Sequence, residues 1–271
     1  MELSLSKKQV FQRLVLQICR IQKLCAILFI VWLFLGQDVF GQTTTPVKKV
    51  TEYSQSWFSV NSTLRFSDHW GMVGDFHIRR DDFMADDFFY FVRAGAMYWI
   101  AGKYPVILGV AHLWQAPPAE KITWGNENRI YEQWSAVHME GIVTTLNRIR
   151  VEQRWRDLIV NDKVAGNKLF TLRLRYLASF EIKPFKNQKI PALVISDEAC
   201  VQFGESIIYN TFDQNRLFFG LKQTLSPKLS FDIGYMNIWQ QKSTGNQYTE
   251  SHVFRLFFYY NADFRKTKHH S

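Results

Sequence analysis

Cysteine is scarce in this 271-residue chain: only Cys19, Cys25 and Cys200 occur. Two of them fall inside an N-terminal leader, so the rest of the chain keeps one. That excludes an internal disulfide framework and a cysteine-ligated metal site, and Cys200 reads as a small side chain within a strand. After the leader no apolar run reaches the roughly 20 residues of a spanning helix. No long stretch repeats with the period of an amphipathic helix either. The formal net charge is +9, but the basic residues are scattered among carboxylates. Without a basic face or a known motif, nucleic acid is excluded as a partner. Contact with anionic lipid head groups accounts for the surplus.

The N-terminus reads as an export signal. Lys7, Lys8, Arg13, Arg20 and Lys23 form a basic region, and an apolar run from Leu24 to Leu35 follows. Val39-Phe40-Gly41 offers small residues where a signal peptidase cuts, which sets cleavage before Gln42. The other reading is a retained anchor, but the run is short for a spanning helix and is closed by Gly36, Gln37 and Asp38. At the other end Phe254, Leu256, Phe258, Tyr260, Ala262 and Phe264 recur at every second position. This resembles the C-terminal strand by which outer-membrane barrels are recognised for insertion. A basic tail, residues 265–271, follows. The domains expected are a signal at 1–41, an N-terminal segment or first strand at 42–53, a barrel at 54–264 and the tail.

What the chain has in abundance is alternation. Arg148-Ile149-Arg150-Val151-Glu152-Gln153-Arg154-Trp155 and Leu172-Arg173-Leu174-Arg175-Tyr176 place charge at every second residue. Period two is the signature of a strand, whose successive side chains point to opposite faces. One face is apolar and the other is a row of Arg and Glu, a demand that a membrane β-barrel meets with lipid outside and a polar lumen inside. Similar runs recur at 56–66, 70–80, 88–101, 104–114, 129–139, 143–156, 168–182, 192–203, 215–225, 229–240 and 250–264. Turns at 67–69, 102–103, 140–142 and 226–228 are short, and an intermediate, basic connection spans 184–191. Longer polar loops are expected at 81–87, 115–128, 157–167, 204–214 and 241–249. These runs number eleven, whereas single-chain bacterial barrels close with an even number. The expected fold is therefore an all-β antiparallel barrel of twelve strands within a range of ten to twelve, with a further strand in 47–53. The alternative is an N-terminal segment threading the lumen. Trp57, Trp70, Trp99, Trp114, Trp134, Trp155 and Trp239 lie near strand ends, as an interfacial girdle would have them.

The expected lumen face carries Asp75, Arg79, Arg93, Glu132, Arg148, Arg150, Glu152, Arg154, Arg173, Arg175, Glu198, Arg216 and Asp232. The plainer reading is an ion-pair network that fills and stiffens a narrow interior. The other is an anion-favouring passage lined by surplus Arg. A hydrolase set drawn from Ser135, His138 and Asn147 lacks a Gly-x-Ser-x-Gly context, and Ser135 and His138 fall on opposite faces. Thus no catalytic residue, cofactor or metal ligand is assigned. His69 and His112 read as interfacial and His269-His270 as solvated. Asp81-Asp82 with Asp86-Asp87 makes an acidic loop whose spacing matches no known calcium loop; it reads first as solvated loop charge and second as a bridge to lipopolysaccharide through divalent cations. The expected location is the bacterial outer membrane. The expected partners are its lipids, lipopolysaccharide and the barrel-assembly machinery. A lipid-modifying enzyme and a soluble lipocalin-like ligand-binding barrel are the alternatives.

Glu152-Gln153-Arg154, and Asp213-Gln214-Asn215-Arg216-Leu217 with Gly220 and Gly234-Tyr235 behind it, resemble a bacterial family, the domain-of-unknown-function 2490 family. Trp57-Phe58-Ser59-Val60-Asn61 fits its opening strand, and Asp197-Glu198 a later one. The likeness runs from about Glu52 to Phe264. It implies an outer-membrane barrel with a signal peptide. The family has no agreed activity, so it lends no catalytic residues.

Overall fold

The computed structural model describes residues 48–118, 120–185, 187 and 189–265. The expected leader with its expected cleavage point, and His269-His270, lie outside the described residues. Eleven strands close into one barrel: β1 (Lys49–Arg65), β2 (Trp70–Asp81), β3 (Asp86–Ile100), β4 (Tyr104–Gln115), β5 (Gly125–Glu140), β6 (Val143–Val160), β7 (Lys163–Ile182), β8 (Ala192–Phe203), β9 (Phe212–Thr224), β10 (Leu229–Gln241) and β11 (Gln247–Asp263). Consecutive strands pair antiparallel, and β1 pairs parallel with β11 along its whole length, from Lys49 with Gln247 to Arg65 with Asp263.

The expectation of twelve strands is corrected to eleven. With an odd number of up-and-down strands the first and last run the same way, so the closing ladder has to be parallel. A parallel ladder still gives each backbone N–H and C=O a partner, and closure needs no more than that. Lys49 to Tyr53 belong to the start of β1 rather than to a strand before it. β1 therefore starts at the barrel end that carries the β10–β11 connection, and β11 finishes at the end with the β1–β2 turn.

The 157–167 segment is a second correction. It continues the ladder to the pair Val160–Lys163, so β6 and β7 form an extended hairpin. Asn161 and Asp162 make its turn with φ of 51° and 55°. Both central residues are left-handed, a conformation that short polar side chains tolerate and that matches the twist of the strands. Asp162 also fixes the β4–β5 connection. Its carboxylate accepts the Ile122 and Thr123 N–H groups, each at 3.1 Å, and its carbonyl accepts the Thr123 hydroxyl at 2.5 Å.

Alternation sorts the side chains. Val60, Met72, Phe76, Leu108, Val110, Leu217, Phe219, Leu221 and Tyr235 stand exposed on the outer face. The inner face holds three aromatic clusters and nearly all the buried charge. Trp57 and Trp99 depart from the expected girdle and point inward, buried. Trp57 shares the parity of Gln55 and Ser59, opposite to Phe58 and Val60. Two glycines make room for one of the inner rings. Gly220 on β9 pairs with Gly234 on β10, and the fully buried Phe218 ring lies over them. A Cβ on Gly220 would stand 2.4 Å from Phe218 Cζ and 2.5 Å from the Ile233 carbonyl oxygen.

Gly220→Ala is therefore expected to cost about 1–3 kcal/mol by overpacking. Gly166→Ala, which meets nothing within 4 Å, is expected to be close to neutral, and urea unfolding of the refolded barrel checks the pair. The Ile122 and Thr123 amides hold the Asp162 carboxyl below the ordinary carboxylate range. A depressed folded pKa means the contact is complete above the unfolded value and is lost as pH falls through the lower folded one. The Thr123 amide resonance is expected to stay put down to about pH 4 and to move only below it. In Asp162→Ala that transition should be missing.

Candidate functional site

The lumen contains a cavity of about 1100 Å³. It reaches from Ser206 and Ser243, in the loops at one end, to Val137, Thr144 and Lys222 towards the other. Eleven arginines and two lysines line it against six carboxylates. That imbalance makes the cavity wall cationic, and the ion pairs behind it show which cations are already neutralised.

The network is strongest on β5 to β9, where three carboxylates are each shared. Glu152 on β6 is 2% exposed and lies among four arginines. It accepts Arg173 Nε at 2.8 Å and Nη2 at 2.5 Å, and Arg175 Nη1 at 2.8 Å. Arg129 Nη1 and Arg150 Nη1 stand at 3.5 and 3.8 Å. Glu127 on β5 takes both nitrogens of the Arg154 fork, at 2.8 and 3.0 Å, with Arg129 Nε at 2.5 Å. Glu198 on β8 accepts Arg148 at 2.6 Å, Arg175 at 2.7 and 3.2 Å, and Arg216 at 3.3 Å. Asp213 adds a second carboxylate for Arg173 at 3.0 Å. The arrangement follows from register. Arg150 faces Arg175, Glu152 faces Arg173, and Arg175 lies beside Cys200 with Glu198 two residues away on the same face. On the opposite wall Arg255 forks onto Asp232 at 3.1 and 2.8 Å, with the Tyr259 hydroxyl donating to the same carboxylate at 2.6 Å. Arg93 pairs with Asp75.

Among the residues expected to form this network, Arg148, Arg150, Glu152, Arg154, Arg173, Arg175, Glu198 and Arg216 come together in the lumen. Glu132 does not, and this corrects the expectation. It lies on the outer face with Ile130 and Trp134, exposed, its carboxylate accepting Gln153 Nε2 at 3.2 Å. The inward residues of β5 are Glu127, Arg129, Tyr131 and Gln133. Both faces of β5 carry polar side chains at this level, so polarity alone does not set the parity; the large Ile130 and Trp134 do. Glu127 and Arg129 were missed for the same reason and Asp213 because it sits where a loop was expected, whereas Arg255 alternates with Phe254, Leu256 and Phe258 and its inward face was legible in that pattern.

The other candidates are dispersed. Ser135 faces the lumen, with Gln133 Nε2 donating to its hydroxyl at 3.2 Å, whereas His138 points outward beside Glu140. Asn147 is on the outer face and accepts the Tyr176 hydroxyl at 2.7 Å. His69 stacks on Tyr98, and His112 bonds to Asn128 at 2.7 Å. Cys200 is buried and free. In the acidic loop Asp87 is paired with Arg80. Among the described residues no three His, Cys, Asp or Glu side chains gather as a metal site would require.

Removing one member of a buried, shared pair strands the others, at about 3–5 kcal/mol. Glu152→Gln is expected to lose at least that much, because four guanidinium groups depend on it. Glu132→Gln is expected to stay within about 0.5 kcal/mol. Denaturant titration followed by heat-modifiable gel mobility measures both.

No curated protein and no solved structure matches the chain. A family model described as Protein of unknown function (DUF2490) matches residues 54–249, from β1 into β11, and takes in Glu127, Glu152 and Glu198 with their arginines. The chain belongs to this DUF2490 family.

Proposed function

We propose that this barrel sits in the bacterial outer membrane and forms a narrow passage that prefers small anions. The observation that carries the reading is the cavity wall, where arginines and lysines outnumber carboxylates along a lumen reaching towards both ends of the barrel. Surplus guanidinium groups lower the energy of an anion in the lumen and raise that of a cation. The outer face supports the membrane part. Val60, Phe76, Leu108, Val110, Leu217, Phe219 and Leu221 all stand exposed on the outer face, and extended exposed apolar surface marks a protein or membrane contact. Trp70 and Trp114 stand exposed near strand ends, where interfacial aromatics belong. The alternating apolar face of β11 suits recognition by the barrel-assembly machinery, and lipids with lipopolysaccharide are the natural neighbours. Ser135, His138 and Asn147 are held apart on different faces, so we favour transport over a lipid-modifying enzyme.

Planar bilayers under a potassium chloride gradient test the passage. A small steady conductance whose reversal potential has the sign of chloride preference is the expected result. Absence of current in a correctly folded barrel would leave the ion-pair network as filling only, and a cation preference would contradict the proposal outright.

A further inference from the structure

Two guanidinium groups on the cavity wall, those of Arg79 and Arg156, make no ion pair among the described residues, and Arg79 is the less exposed of the two. Arg79, on β2, has its Nε buried without a hydrogen-bond partner. It lies between two aromatic rings instead, its Cζ 3.2 Å from the Trp57 ring centroid and 4.2 Å from that of Phe89. Ring faces attract a cation but do not occupy its N–H donors. The charges that couple most strongly to Arg79 are Arg216, Arg129, Arg175 and Arg173, all of the same sign. Arg216 also reaches the Trp57 ring, at 5.3 Å, and shares its one carboxylate, Glu198, with Arg148 and Arg175. Two residues from Arg79 on the same face, His77 keeps both ring nitrogens buried and without hydrogen bonds. All three side chains line the cavity.

The backbone is also irregular here. The β2–β3 ladder slips by one residue between Arg79 and Arg80, leaving Phe88 unpaired. A bulge of this kind re-aims the side chains beside it. Arg79, still in register with His77 and Asp75, faces the lumen, while Arg80, beyond the slip, turns to Asp87 at the rim. A buried donor without a partner, crowded by like charges and aimed at a cavity, is costly unless something negative joins it.

We propose that Arg79, Arg216 and His77 form a binding site for a small dissolved oxyanion of the carboxylate or phosphate kind. The guanidinium fork of Arg79 supplies paired donors, Arg216 the second charge and His77 a ring N–H. Trp57 holds both guanidinium groups in place. The site rests on the anion-preferring reading of the same cavity and gives that reading an address.

The test uses the refolded barrel in detergent micelles at constant ionic strength. Inorganic phosphate and, separately, acetate are titrated, followed by calorimetry and tryptophan fluorescence. Saturable binding is expected, at least tenfold weaker in Arg79→Gln, less weakened in Arg79→Lys, and unchanged in Arg80→Gln. If Arg79→Gln does not refold, Arg216→Gln carries the same comparison. Wild-type protein that saturates with neither anion, or an Arg79→Gln variant that binds as wild type does, would overturn the site. A barrel that binds phosphate but passes no current keeps the site and loses the passage. An anion-selective current without saturable binding does the reverse.

Discussion

Buried carboxylates held between guanidinium groups are the interaction on which the rest of this barrel depends. Glu152 is the extreme case, enclosed by Arg129, Arg150, Arg173 and Arg175. An isolated charge at that depth would cost several kcal/mol in lost hydration, and the attraction between close opposite charges offsets this only if geometry and hydrogen bonding are good. The three shared carboxylates meet that condition with distances mostly between 2.5 and 3.3 Å. They also tie β5, β6, β7, β8 and β9 together across the lumen, so side chains reinforce what the backbone ladder already joins. The interior is shared between this charge network and the buried apolar clusters around Phe218, Phe91 and Trp99, while the remaining large apolar side chains stand on the outer face.

Closure makes the arrangement possible. An open edge in a hydrocarbon surrounding would leave a row of backbone groups unpaired. The parallel β1–β11 ladder removes that edge and, with it, the need for an even strand number. It also determines where the chain enters. β1 begins at the end of the barrel that carries the β10–β11 connection, level with Gln247, and β11 ends beside Arg65. Inner rings need space within such a cylinder, and paired small residues such as Gly220 and Gly234 provide it under Phe218.

Much of this was legible because period two survives wherever one face is uniformly apolar. On β6 and β7 the outward residues Ile149, Val151, Trp155, Phe170, Leu172, Leu174 and Tyr176 are apolar, with Gln153 between them, so Arg148 to Arg154 and Arg173 to Arg175 could be assigned inward from sequence alone. β5 defeated the same reasoning. Asn126, Glu127, Asn128 and Arg129 are polar on both faces, and choosing Glu132 over Glu127 is a shift of parity, which moves every side chain to the wrong side. The Asp157–Asn167 region read as a loop because it is polar, although Asn161-Asp162 is a two-residue turn signal. The strand count could not be settled from local pattern, since parallel or antiparallel closure is a property of two segments far apart in the chain. Arg79 was visible as a lumen residue, but nothing in the sequence says that it lacks a carboxylate while Arg173 and Arg175 each have two, for partners are chosen by register and rotamer.

The proposed membrane location requires a barrel inverted relative to a soluble one, charged within and with its exposed apolar face turned to lipid. Spin labels introduced one at a time at Val60, Phe76, Leu108 and Leu221, and at the inward-facing Ser59 and Gln133, test it in proteoliposomes. Accessibility to oxygen, which concentrates in lipid, is compared with accessibility to a water-soluble nickel complex. The account predicts that the first four positions favour oxygen, while the two inward ones are shielded from lipid. Equal access of the nickel complex to Val60, Phe76, Leu108 and Leu221 would contradict it.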